Sequence, residues 1–110
     1  MRRFTALALA LMVTGLDAHA EEPRVLDAHE KRGEVIARTN CVRCHAIGRA
    51  GPSALAEAPP FRMLHRRYPV EDLGEALAEG ITTGHPTMPE FRLDPDEADN
   101  LIAYLKTLER

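Results

Sequence analysis

Tryptophan is absent, cysteine occurs only twice in 110 residues, and about one residue in twenty is aromatic. A domain this small buries a modest share of its surface, so with so few rings its own side chains leave the interior under-filled. There is no second cysteine pair to complete a structural zinc site, which usually takes four Cys and His ligands. No apolar run reaches the roughly twenty residues needed to span a bilayer. Strict two-residue alternation and internal repeats are missing too, which leaves helix as the dominant local signal.

What is present begins with an address. Arg2 and Arg3 precede an apolar run from Phe4 to Leu16, and Ala18-His19-Ala20 supplies small residues before a cleavage point. Residues 1–20 therefore read as a secretory signal peptide, and 21–110 as the single mature domain, located in the periplasm. A retained anchor is the competing reading, and the shortness of the run weighs against it. Removing Arg2, Arg3 and Asp17 takes the 14 basic and 17 acidic residues to 12 and 16, a formal −4. Such a balance disfavours nucleic acid or an anionic membrane as partner.

Both cysteines fall in one pentapeptide, Cys41-Val42-Arg43-Cys44-His45. Two thiols three positions apart followed by histidine match the attachment pattern of c-type haem. On one helical turn both sulfurs face the same way and can form thioethers with one porphyrin edge, while His45 can reach the iron. A thioredoxin-like dithiol would want a βαβ setting, which is not visible, and a bare disulfide leaves the histidine unexplained. In an oxidising compartment two lone thiols are better consumed by haem c than left free. A covalently held apolar plate also supplies the interior that the composition lacks.

Around this motif the chain reads as all-α. A first helix is expected from Leu26 to about Asn40, after an unanchored start at residues 21–25. Gly33 inside it costs about 1 kcal/mol relative to alanine, which points to close approach of another backbone. Residues 46–60 are loop. Phe61, Leu64 and Tyr68 suggest a short helix that Pro69 interrupts; Val70 to Glu79 suggests another, closed by Gly80 in a left-handed cap. Ile81 to Leu93 is a second long loop. The last helix carries the clearest signals: Asp94 as N-cap, Pro95 at the first position, Glu97 completing a capping box, then the stripe Ala98, Leu101, Ile102, Leu105 and Leu108.

The sixth iron position decides between classes of function, and Met63, His65, His85 and Met88 are the candidates. Met63 and His65 sit in a helical segment beside Arg66 and Arg67, where a core methionine and a surface histidine are expected. Met88 lies between Pro86 and Pro89 in a late loop, where stiff backbone holds a weak thioether ligand at little entropic cost. A gap-filling core methionine is the alternative there, and His85 competes from three residues away.

With CVRCH at 41–45, GHPTMPEF at 84–91 and LIAYLKTL at 101–108, the chain resembles the class I monohaem cytochromes c of bacteria over nearly all of its mature length. The resemblance implies helices packed around one covalently attached haem, and it lands the axial methionine on Met88. It implies packing of Gly33 against Leu101 and Tyr104, although the aromatic residue often found one turn after that glycine is here Ala37. It also implies a proline carbonyl that accepts a bond from the proximal imidazole; Pro59, followed by Phe61, suits this better than Pro52. Arg62, Arg66, Arg67 and Tyr68 are placed to meet the propionates, with Arg67 and Tyr68 chosen and a solvated basic face as the alternative.

With His45 and Met88 both bound, substrate is kept from the iron and one-electron exchange remains; methionine ligation favours the ferrous state. The expected function is thus a non-enzymatic periplasmic electron shuttle. Its donor would be a dehydrogenase or quinol-oxidising complex and its acceptor an oxidase or reductase, with acidic residues docking on basic patches. A haem enzyme or gas-binding protein with displaceable Met88, and a cytochrome subunit dedicated to one oxidoreductase, are the rivals.

Overall fold

The computed structural model describes Gly15, residues 24–82 and residues 85–109. The expected leader, apart from Gly15, and Gly84 of the late loop lie outside the described residues. Three helices carry the architecture: α1 (Ala28–Asn40), α2 (Leu73–Glu79) and α3 (Pro95–Thr107). Two 3-10 segments, Phe61–Arg66 and Val70–Asp72, lead from the first loop into α2. Among the described residues there is no strand, only a single antiparallel bridge between Ile81 and Phe91.

α1 starts at a reciprocal cap that the sequence reading missed. The Glu30 N–H donates to Asp27 Oδ1 at 2.9 Å, and the Asp27 N–H donates to Glu30 Oε2 at 3.0 Å. These bonds satisfy two amides that a helix start leaves without intrahelical partners. Contact with the Glu30 N–H holds the Asp27 carboxyl below its ordinary value. Arg24 forms an ion pair with Glu30, so within the start expected to be unanchored Arg24 is tied to α1, while residues 21–23 lie outside the described residues.

The two terminal helices cross where α1 is thinnest. Its buried positions are Glu30, Gly33 and Ala37, spaced three and four residues apart and so lying on one face. A Cβ placed on Gly33 would lie 2.0 Å from the Asn100 carbonyl oxygen and 2.7 Å from Tyr104 Cβ. The nearest neighbours of the glycine are therefore the Asn100 backbone and Tyr104, not Leu101 and Tyr104. His29 Nδ1 and Asn100 Oδ1, 2.8 Å apart, bond beside the crossing. Ala37, fully buried, makes the absent aromatic unnecessary by letting the helices come close, while Ile36 packs at the margin of the core.

α3 forms as its signals predict: Pro95 begins it, and the Glu97 carboxylate accepts from the Asp94 N–H at 3.2 Å. Its buried Ala98, Leu101 and Leu105, with Leu108 at its C-cap, meet Phe61, Leu64, Val70, Leu77 and Leu93 in one core. The stretch expected as a helix from Phe61 is a six-residue 3-10 helix, ending before Pro69. The stretch expected from Val70 to Glu79 is a 3-10 turn followed by α2. Gly80 ends α2 at φ 112° and ψ 108°, a positive φ without the left-handed helical ψ of the expected cap.

Beyond Gly80 the chain is pinned at two levels. The Ile81 N–H donates to the Phe91 carbonyl at 2.9 Å, and the Leu93 N–H donates to the Leu77 carbonyl at 2.8 Å. The segment between Ile81 and Phe91 is therefore held at its base on α2. Because the Gly33 crossing opposes backbone to backbone, Gly33→Ala should cost about 3 kcal/mol or more in denaturant unfolding. A loss below about 1 kcal/mol, the scale of ordinary propensity differences, would show that the helices are not in such contact.

Candidate haem site

The attachment motif is a continuation of α1. After Asn40 the chain keeps winding: the Cys41 N–H donates to the Ala37 carbonyl at 2.8 Å, the Cys44 N–H to Cys41 at 3.1 Å and the His45 N–H to Cys41 at 2.9 Å. Both cysteines are free and half-buried. Burial pushes the Cys41 thiol up to about 11. Val42 and Arg43, the residues between them, are exposed.

His45 is held from behind. Its Nδ1 lies 2.8 Å from the Pro59 carbonyl oxygen, so Nδ1 carries the proton and Nε2 keeps a lone pair free for a metal. The Phe61 ring packs on the imidazole at a centroid distance of 5.0 Å and a tilt of 39°. The Phe61 N–H donates to the Ala46 carbonyl at 2.9 Å, which ties the chain after His45 to the chain after Pro59. Pro52, the other candidate for orienting the ring, is exposed in the loop.

α3 clamps the same loop from the other side. Tyr104 Oη donates to the Ile47 carbonyl at 2.7 Å, and Arg49 Nη2 donates to the Thr107 carbonyl at 2.6 Å. Ser53 Oγ accepts from the Ala46 N–H at 2.9 Å. These three supports escaped the sequence reading. Each joins residues whose side chain or carbonyl carries no local pattern, and two of them span more than fifty residues.

Met88 sits in a turn that its own N–H closes on the His85 carbonyl at 3.1 Å. It is half-buried, whereas Thr82, His85, Pro86, Thr87, Pro89 and Glu90 are exposed. Met88 is thus less exposed than the described residues around it in this loop. Met63 and His65 are half-buried, and they line a cavity with Arg49, Arg62, Arg66, Leu108 and Glu109 that includes no residue of the attachment motif. His65 is therefore not the surface histidine expected, and Arg62 and Arg66 face the end of α3. Arg67 and Tyr68 are exposed beyond the 3-10 helix.

The donor set fits c-type haem. Two unpaired thiols stand on one turn, with an imidazole whose second nitrogen is already engaged. Among the described residues no three His, Cys, Asp or Glu side chains converge as the ligands of one bare metal ion would. A donor set spread along the turn suits an extended planar group.

A family model described as cytochrome c oxidase, cbb3-type, subunit III matches residues 28–105. The chain belongs to the class I monohaem c-type cytochromes. It is similar to a cytochrome c-552 of Bradyrhizobium diazoefficiens, 32% identical over 83 residues that cover 76% of this chain and 78% of the relative. It is similar also to a cytochrome c-553-like protein of Synechocystis, 31% identical over 106 residues, 93% of this chain and 91% of the relative. No solved structure matches it significantly. This cytochrome is a small electron-transfer protein, and covalent haem c is its cofactor, with Cys41 and Cys44 at the attachment spacing. It works with redox partner proteins. No described helix is long and apolar enough to cross a membrane.

Proposed function

We propose that this cytochrome is a periplasmic one-electron carrier, not an enzyme, with Cys41 and Cys44 as thioether anchors and His45 and Met88 as axial ligands. Bound haem c supplies an iron that changes oxidation state by one electron. The carrying observation is the partial burial of Met88 in a turn whose described neighbours are exposed. The Pro59 carbonyl fixes the His45 tautomer and raises the basicity of Nε2. The thioether favours the ferrous state, and burial among apolar side chains disfavours the extra ferric charge, so both raise the potential. Arg67 and Tyr68 remain the proposed propionate partners, their exposure making them a rim rather than a floor. The leader at residues 1–20 supports export, with residues 21–110 as the mature domain.

Docking has a candidate surface of its own. Lys31, Val35, Arg38 and Val42 follow one another at steps of four, three and four, and so share a face that runs into the attachment turn. Val35 is 61% exposed and Val42 44%, and Lys31, Arg32, Arg38 and Arg43 surround them. Glu34, which accepts from Arg38 Nη2 at 2.7 Å, offsets part of this charge. Net charge suggested acidic docking onto basic patches, but this face is basic, and it suits a partner with an acidic rim around an apolar centre. A dehydrogenase or quinol-oxidising complex as donor and an oxidase or reductase as acceptor fit the reading. The family description, an oxidase subunit, supports a second reading in which the domain serves one complex.

Met88→Ala should abolish the far-red sulfur-to-iron absorption of the ferric protein and let the ferrous protein bind carbon monoxide rapidly. Rapid binding by the unaltered protein would favour gas-binding or enzymatic chemistry. Arg43→Glu should slow oxidation of the ferrous protein by hexacyanoferrate(III) several-fold at low salt. The difference should fade at 1 M salt, where the Debye length is about 3 Å; equal rates at low salt would place electron exit elsewhere. Isolation as a stable monomer supports the diffusing carrier, and isolation only within a larger complex supports the dedicated subunit.

A further inference from the structure

Pro59, Pro60 and Phe61 meet the chain at His45 and Ala46 in three ways. The Pro59 carbonyl faces His45 Nδ1 at 2.8 Å, the Phe61 N–H donates to the Ala46 carbonyl at 2.9 Å, and the Phe61 ring lies on the imidazole with 5.0 Å between centroids. That separation is within the roughly 4.5–7 Å of favourable aromatic pairs. Phe61 itself is fixed at both ends. Its backbone is held by Ala46, and its side chain, 8% exposed, belongs to the core with Leu64, Val70 and Leu105. Of the described phenylalanines, Phe61 and Phe91, it is the buried one. A chain without tryptophan thus places its buried phenyl ring against the histidine of the motif.

Given the carrier reading above, on which this role rests, we propose that Phe61 is a positioning residue for electron exchange. Its ring sets the plane of the His45 imidazole and keeps water from the Nδ1 hydrogen bond. The bond to Pro59 alone does neither. Hydrogen bonds tolerate a broad range of directions at a carbonyl oxygen, so one such bond fixes the tautomer but leaves the imidazole able to rock about the line from Nδ1 to that oxygen. A rigid face packed at a tilt of 39° opposes that motion. His45 and Pro59 are each only half-buried, and a polar pair beside open space offers partners to a water molecule. The Phe61 ring covers that side. Winding of the chain onto α1 presents the imidazole, and Phe61 holds its plane. A carrier gains from this because each ligand rotation or water movement that accompanies a change of oxidation state adds to the barrier for exchange.

The test is proton NMR of the holoprotein. In the unaltered ferrous protein the His45 ring protons are expected far upfield, shifted by the porphyrin ring current, and the Nδ1 proton is expected to exchange slowly with solvent. Phe61→Ala should speed that exchange at least about tenfold. It should also alter the spread of the haem methyl resonances in the ferric protein, which reports the plane of the axial imidazole, and slow electron self-exchange several-fold. Val70→Ala, at a fully buried position of the same core, should lower stability and leave all three unchanged. If Phe61→Ala does not fold, Phe61→Val, which keeps apolar bulk without a flat face, carries the same expectation. Natural Nδ1 exchange and methyl spread in the Phe61 variant, or equal changes in Val70→Ala, would overturn the role of Phe61 and leave His45 as a ligand. His45 ring protons at ordinary positions in the unaltered protein would instead remove the axial role of His45, and the role of Phe61 with it.

Discussion

The contact of Gly33 with the Asn100 backbone sets the geometry of everything else in the molecule. An L side chain at position 33 would collide with a carbonyl oxygen that cannot rotate away. With hydrogen there instead, α1 and α3 lie close enough for Ala37 to be fully buried, and the attachment turn emerges beside α3 rather than at a distance. Tyr104, which flanks the glycine, then reaches the Ile47 carbonyl just past His45. One close crossing thereby positions the start of the attachment loop and supplies the side chain that holds it. The cost of a mid-helix glycine, about 1 kcal/mol, is offset by packing that a chain poor in aromatics can hardly obtain otherwise.

Both proposed iron ligands are presented by backbone devices more than by their own side-chain packing. His45 is fixed by winding of the chain onto the end of α1 and by the Pro59 carbonyl behind its ring. Met88 is carried on a segment pinned to α2 through Ile81, Phe91, Leu77 and Leu93, and tightened by the turn from His85. Such anchoring restrains His45 directly and the Met88 segment at its two ends. That restraint is what a one-electron carrier needs, since motion between oxidation states slows exchange.

How much of this could be read without coordinates depended on how local each feature is. The CVRCH motif, the Asp94-Pro95-Glu97 start of α3 and its apolar stripe are patterns within one or two turns, and the structure forms the helix where they place it. The Asp27 and Glu30 cap is equally local, but a helix expected from Leu26 places Asp27 inside the first turn and hides its role as the cap. The segment from Phe61 was ambiguous for a physical reason: in six residues, spacings of three and four do not separate a 3-10 from an α-helix. The Gly80 conformation depends on the Ile81 and Phe91 bridge, a contact made across the loop. Arg49, Ser53 and Tyr104 act through main-chain partners, which no side-chain pattern reveals. Net charge concealed the basic face of α1, because the acidic residues gather on α2, the first turn of α3 and the loop before it.

The central claim is that the chain carries one haem stitched through Cys41 and Cys44. It is tested most directly by dissolving the purified protein in alkaline pyridine, reducing it and recording its visible spectrum. One haem per chain is predicted, with the absorption of a porphyrin whose two vinyl groups have been saturated, resistant to extraction by acidified acetone. A colourless protein with two titratable thiols, or a haem that extracts with its vinyl groups intact, would contradict it.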